Sequence, residues 1–89
     1  MEFEYDPAKS ESNRAKHGID FEDAKRLWDG PVYAVSTAAH NDDVRELEIG
    51  VIDGKHWTAI TTPRCGRKRI ISVRRSRDYE EEAYDERCR

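Results

Sequence analysis

Few side chains in this sequence have types and spacings suited to chemistry. The two cysteines, Cys65 and Cys88, lack Cys-x-x-Cys spacing and read as free thiols in a reducing compartment rather than as a disulfide or zinc pair. His40-Asn41-Asp42-Asp43 has cation-binding side chains, but falls in a predicted turn between strands, a setting these residue types favour on their own account. No glycine-rich phosphate loop is present. What remains is His17, next to Lys16, and a run of cations. From Arg64 to Arg77 there are seven basic residues (Arg64, Arg67, Lys68, Arg69, Arg74, Arg75 and Arg77) and no acidic one.

Histidine can move a proton near neutral pH, and arginine's planar fork holds phosphate in a bidentate grip. Metal-free RNA cleavage needs a base for the 2′-hydroxyl, an acid for the departing 5′-oxygen and cations around the phosphorane. One histidine and several arginines suffice for that set. Each also has a plainer role: His17 as a cation at a helix end, and the arginines as a solvated face paired with the acids that follow. His56 reads as a surface or packed residue. Its neighbour Trp57 reads as core packing, with base stacking as the alternative.

The elements that must position these groups follow from period and punctuation. Phe3-Glu4-Tyr5 alternates as a short strand. Asp6-Pro7 is an N-cap followed by proline at the first helical position, opening a nearly all-polar helix, Ala8 to His17, that Gly18 closes. Asp20 caps a second helix, whose apolar face is Phe21, Ala24, Leu27 and Trp28; Asp29-Gly30-Pro31 ends it. The period then changes to two. Strands are predicted over Val32–Thr37, Arg45–Ile52, Lys55–Thr62 and Arg69–Arg74, with turns at Ala38–Asp43, Asp53-Gly54 and Pro63–Lys68. Strict alternation in the last strand puts Ile71 and Val73 on one face with Arg69 and Arg75, and Ile70 and Ser72 on the other with Lys68 and Arg74. A final helix, Ser76 to Arg87, takes Ser76 as its cap and Tyr79 and Ala83 as its apolar pair. The predicted fold is α+β in one domain, residues 1–89: a short strand, two helices, a four-stranded antiparallel sheet and a C-terminal helix.

Composition sets limits. Leu, Ile, Val and Phe number 15 of 89 residues, and 39% of residues are charged, so the core is small and aromatic rings must fill much of it. No apolar run approaches the roughly 18 residues of a membrane span, and the acidic N-terminus lacks signal-peptide character; a cytoplasmic protein is expected. The net charge of -3 conceals a separation, because the basic block is followed by six acids between Asp78 and Glu86. Those two blocks can partly neutralise each other where the last strand meets the last helix.

The residues also carry a family likeness. Phe3-Glu4-Tyr5-Asp6, Lys9, Asn13, Lys16-His17-Gly18-Ile19, Phe21-Glu22 and Ala24 resemble the N-terminal signature of the BrnT toxins. Ile49-Gly50, Asp53-Gly54 and Arg69-Ile70-Ile71-Ser72-Val73-Arg74-Arg75 resemble that family's second signature. The resemblance implies a RelE-like fold and a ribonuclease needing no metal or other cofactor. It also implies a BrnA-type antitoxin with a ribbon-helix-helix domain, and contact with operator DNA only through the toxin–antitoxin complex. It assigns catalysis to His17, Arg64, Arg67 and Arg74, and substrate binding to Lys16, Arg45, Arg69 and Arg75. A non-catalytic antitoxin-binding or nucleic-acid-binding module on the same fold is the alternative.

Overall fold

The computed structural model describes residues 2–40 and 43–88. Its elements are β1 (Phe3–Glu4), α1 (Pro7–His17), α2 (Phe21–Ala24), a 3₁₀ segment (Lys25–Asp29), β2 (Tyr33–His40), β3 (Asp43–Ile52), β4 (Lys55–Arg64), β5 (Arg67–Arg75) and α3 (Asp78–Cys88). The α+β class holds, but the sheet has five strands in the order β1-β5-β4-β3-β2 and is mixed. β1 lies parallel to β5, pairing Phe3 with Lys68 and Glu4 with Arg69. Hairpin lengths constrain only strands joined by hairpins. The whole intervening chain connects β1 to β5, so the four-stranded antiparallel expectation missed this pair.

The helix starts follow the sequence. The Asp6 side chain accepts the Ala8 N–H at 2.9 Å, and Asp20 accepts that of Asp23 at 2.8 Å. The second helix is α-helical for only four residues and then tightens to 3₁₀. Its buried residues, Phe21, Ala24 and Leu27, recur every third position, the repeat that a three-residue turn aligns.

These residues pack with Ile19, Ile52, Ala59, Ile70 and Val73 on the inner face of the sheet; Phe3, Tyr5, Trp28, Val32 and Trp57 fill the margins. The Phe3 and Trp28 rings lie 4.8 Å apart, and Tyr5 meets Phe21 edge-on at 5.6 Å. Glu48 is buried in this layer with Trp28 Nε1, Thr61 Oγ1 and Lys68 Nζ all donating to it. Every oxygen of the carboxylate is thus answered, as burial of a charge requires.

Turns are shorter than predicted. β2 reaches His40 and β3 starts at Asp43; Asn41 and Asp42, and with them the candidate cation site, lie outside the described residues. The predicted Pro63–Lys68 turn contracts to Cys65-Gly66, with φ of 50° and 76°. Positive φ at both central residues is the mark of a twist-matched two-residue hairpin, and it lets Pro63 remain in β4 opposite Lys68.

Two further corrections shape the outer face. Between Ile60↔Ser72 and Thr61↔Ile70 the register slips by one residue, so Ile71 is the extra residue of a bulge. Alternation fails there: Ile70 and Val73 both enter the core, while Ile71 and Ser72 both turn to the opposite side. The last helix begins at Asp78, with its predicted cap, Ser76, instead bonded to Thr58 at 2.8 Å. Glu80 reaches back to the Arg77 N–H at 2.8 Å, the acidic half of a capping box. Tyr79 is left 61% exposed. α3 docks through polar side chains, and this is why an apolar pair misidentified its inner face.

Candidate nucleic-acid interface

α3 crosses one end of the outer sheet face. Glu80, only 2% exposed, receives Arg74 in a bidentate grip at 2.7 and 2.9 Å and Thr58 Oγ1 at 3.2 Å. Burial alone would raise the Glu80 carboxyl, but the hydrogen bonds from Arg74, the Arg77 N–H and Thr58 outweigh it and hold the group below its usual range. The hydrogen bond to Glu80 in turn raises Arg74. Further along the helix, His56 lies between Glu81 (Nδ1, 3.1 Å) and Asp85 (Nε2, 3.0 Å), edge-on to Tyr84. At the far end, Arg87 lies over the Tyr33 ring.

α1 lies along β5. Asn13 substitutes for a neighbouring strand: its side chain accepts the Val73 N–H at 3.1 Å and donates to Val73 O at 2.9 Å and Ile19 O at 2.8 Å. Ser10 Oγ accepts the Phe21 N–H at 2.9 Å. Two buried polar residues thus fix a helix that has almost no apolar face. Their spacing has a consequence for the exposed side. Lys9, Ser12, Lys16 and His17 stand at i, i+3, i+7 and i+8, beside the buried Asn13 at i+4, and share one exposed helical face.

That face and the outer side of the sheet enclose two adjoining clefts. One, of about 570 Å³, is lined by Lys9, Arg45, Thr62, Pro63, Arg64, Arg69 and Ile71. The other, of about 230 Å³, is lined by Lys9, Ser12, Asn13, Lys16, His17, Ile71 and Ser72. Lys9 and Ile71 belong to both, so the clefts form one groove. It runs from His17 at the C-terminal end of α1 to Arg64 beside the β4–β5 hairpin. The bulge at Ile71 supplies its floor.

The structure therefore sorts the predicted site residues. His17, Lys16, Arg45, Arg64 and Arg69 share the groove. Arg69 also meets Glu4 at 3.2 Å. Among the described residues, none makes an ion pair or hydrogen bond to the side chains of Lys9, Lys16, His17 or Arg64. Three other arginines lie elsewhere. Arg67 faces the opposite side, in a cleft with Glu46, Thr61 and Lys68, and meets Glu2 at 3.3 Å. Arg74 is bound to Glu80. Arg75 lies over the Trp57 ring at 5.5 Å and donates to His56 O. Lys9 and Ser72 were missed; the helical spacing from Lys9 to His17 was the available signal for the lysine.

Chemically, the groove offers a histidine, mobile ammonium groups and guanidinium groups on a shallow floor, suited to a polyanion with a scissile phosphate near His17. A family model described as the ribonuclease toxin, BrnT, of type II toxin–antitoxin systems matches residues 5–80. No curated protein matches the chain.

Proposed function

The chain belongs to the BrnT family of ribonuclease toxins of type II toxin–antitoxin systems, and from that premise we propose that it cleaves RNA in the groove between α1 and the outer face of β4 and β5. One observation carries the assignment: His17 and three cations with no ion pair among the described residues, Lys9, Lys16 and Arg64, line one groove that α3 leaves open. In this reading, His17 transfers the proton at the scissile phosphate. Arg64 and Arg69, with Lys9 and Lys16, hold the flanking phosphates and stabilise the charge that develops in the transition state. Arg45 binds substrate further along. Arg67, Arg74 and Arg75, which lie outside the groove, are assigned to holding the fold.

The charged side chains lining the groove are cations, the opposite of a metal-binding set, so the reaction proposed is metal-independent. The same reading takes the fold as RelE-like and the site of action as the cytoplasm. It takes the antitoxin as a ribbon-helix-helix protein of the BrnA type, through which alone the complex meets operator DNA. The test is cleavage of an RNA by purified toxin in excess EDTA. Cleavage should persist in the wild type and fall by about 10²–10⁴ in His17→Ala, the range for loss of a general acid or base. Abolition by EDTA, or full activity in His17→Ala, would overturn the mechanism.

A further inference from the structure

The uncovered part of the outer sheet face holds a second feature, whose aliphatic residues meet the RNA groove only at Ile71. Val35 pairs with Leu47, Leu47 with Ile60, and Ile60 with Ser72 beside the bulged Ile71. These four aliphatic residues form a row across β2, β3, β4 and β5. None belongs to the core or packs against it. Val35 is 39% exposed, and Leu47, Ile60 and Ile71 are half-buried. α3 bounds the row on one side. On the other stand Arg45, Arg64 and Arg69.

We propose that this row is the seat of the antitoxin, which lays an amphipathic helix across the four strands, aliphatic residues down and acidic residues against the arginine rim. Spacing supports a helix. Neighbouring strands are about 4.8 Å apart, and an apolar stripe recurring every 3.5 residues at 1.5 Å per residue advances about 5.3 Å. Each aliphatic residue of such a helix meets one strand. α3 already crosses the same face from Arg74 on β5 to Tyr33 on β2, so the surface accepts a helix in that direction. The chemistry favours protein over RNA as occupant, because single-stranded RNA is gripped on aromatic platforms and this row is aliphatic. Charge complementarity with the rim selects an acidic partner. The row ends at Ile71, Arg69 and Arg64, which also line the groove, so a helix seated there excludes RNA. The inference rests on the ribonuclease reading for what is blocked, and on strand register for where.

The experiment measures binding of the purified antitoxin and cleavage of RNA by the same toxin variants. Val35→Glu combined with Leu47→Glu, residues that line neither cleft, should weaken antitoxin binding at least tenfold and leave cleavage at the wild-type rate. Val35→Ser, at an exposed position, should fold normally and weaken binding several-fold. Unchanged antitoxin affinity in a folded double variant, or in Val35→Ser should the double variant not fold, overturns the proposal. So does a double variant that binds antitoxin normally but no longer cleaves RNA. His17→Ala separates the two readings: it should bind antitoxin normally, and cleavage that survives it refutes the ribonuclease mechanism without touching the docking result.

Discussion

Replacing Asn13 with alanine tests whether a single side chain fixes the groove's wall. Asn13 is 6% exposed and makes three hydrogen bonds, all to backbone: to the Val73 N–H, to Val73 O and to Ile19 O. Truncation orphans all three in a site that water barely reaches. At about 1 kcal/mol each, the low end for an unsatisfied buried group, the loss is about 3 kcal/mol. A chain of this length has roughly 4–13 kcal/mol of total stability, so the change is severe. At about 4–8 °C per kcal/mol, Tm should fall by 12 °C or more. Asn13→Asp sharpens the test. The carboxylate can still accept the Val73 N–H, but its other oxygen then faces two carbonyl oxygens. At pH 7 Asn13→Asp should therefore be less stable than Asn13→Ala, and it should recover part of the difference as acid protonates it. The assay is urea unfolding of the three proteins at pH 7 and pH 4. A loss below about 1 kcal/mol in Asn13→Ala, or Asn13→Asp equal to wild type at pH 7, would refute the reasoning.

Other expectations follow from the same geometry. The Glu80 carboxyl is held below its ordinary value of 4.5 in the folded state, so its contribution is present above that value and is lost as pH falls through the lowered one. Urea midpoints should show a shallower decline below about pH 4.5 in Glu80→Gln than in wild type, with a lower plateau at pH 7. Gly50→Ala should cost about 1–3 kcal/mol by overpacking, since a Cβ there would lie 2.8 Å from Leu27 Cδ1 and 2.9 Å from its Cγ, and Leu27 is fully buried; an unchanged Tm would contradict this. Arg64→Ala should weaken RNA binding and reduce the slope of log K against log salt by about 0.7, the single-strand value for one phosphate contact, as read by fluorescence anisotropy.

What the sequence made legible is what local chemistry decides. Asp6-Pro7 and Asp20 cap helices because a carboxylate answers amides two or three residues away. Asp53-Gly54 turns the chain because both residues tolerate positive φ. The missed features depend on segments far apart in the chain. β1 is two residues long and joins β5 in a register that no period in the sequence encodes. The bulge at Ile71 breaks an alternation that was extrapolated through it, and with it the assignment of faces on β5. α3 reads as a solvated helix because its buried residue is a glutamate, which is tolerable inside only once Arg74, Thr58 and the Arg77 N–H have been found. The site divides the same way. Residue type alone pointed to His17, Lys16, Arg64 and Arg69. Separating them from Arg67, Arg74 and Arg75 required knowing which cleft each side chain lines and which meet Glu80 and Trp57.

Those partners also explain how a chain of net charge -3 can present a surface for a polyanion. The acids are placed where elements must be fastened to the sheet. Glu80 binds Arg74, so α3 consumes the guanidinium under it, and Glu81 and Asp85 flank His56. Glu2 does the same for Arg67 where β1 joins β5, while Arg69, which meets Glu4, still lines the groove. Cations that meet no acid among the described residues remain on α1 and at the β4–β5 hairpin, on opposite sides of one groove, and a cleft lined by one sign of charge focuses its field on an incoming ligand. The two populations should respond differently to salt. Arg74 and Glu80 are desolvated and poorly screened, whereas Lys9, Lys16 and Arg64 face water. Raising ionic strength should therefore release RNA well before it loosens α3, so that binding and folding are separable in one titration.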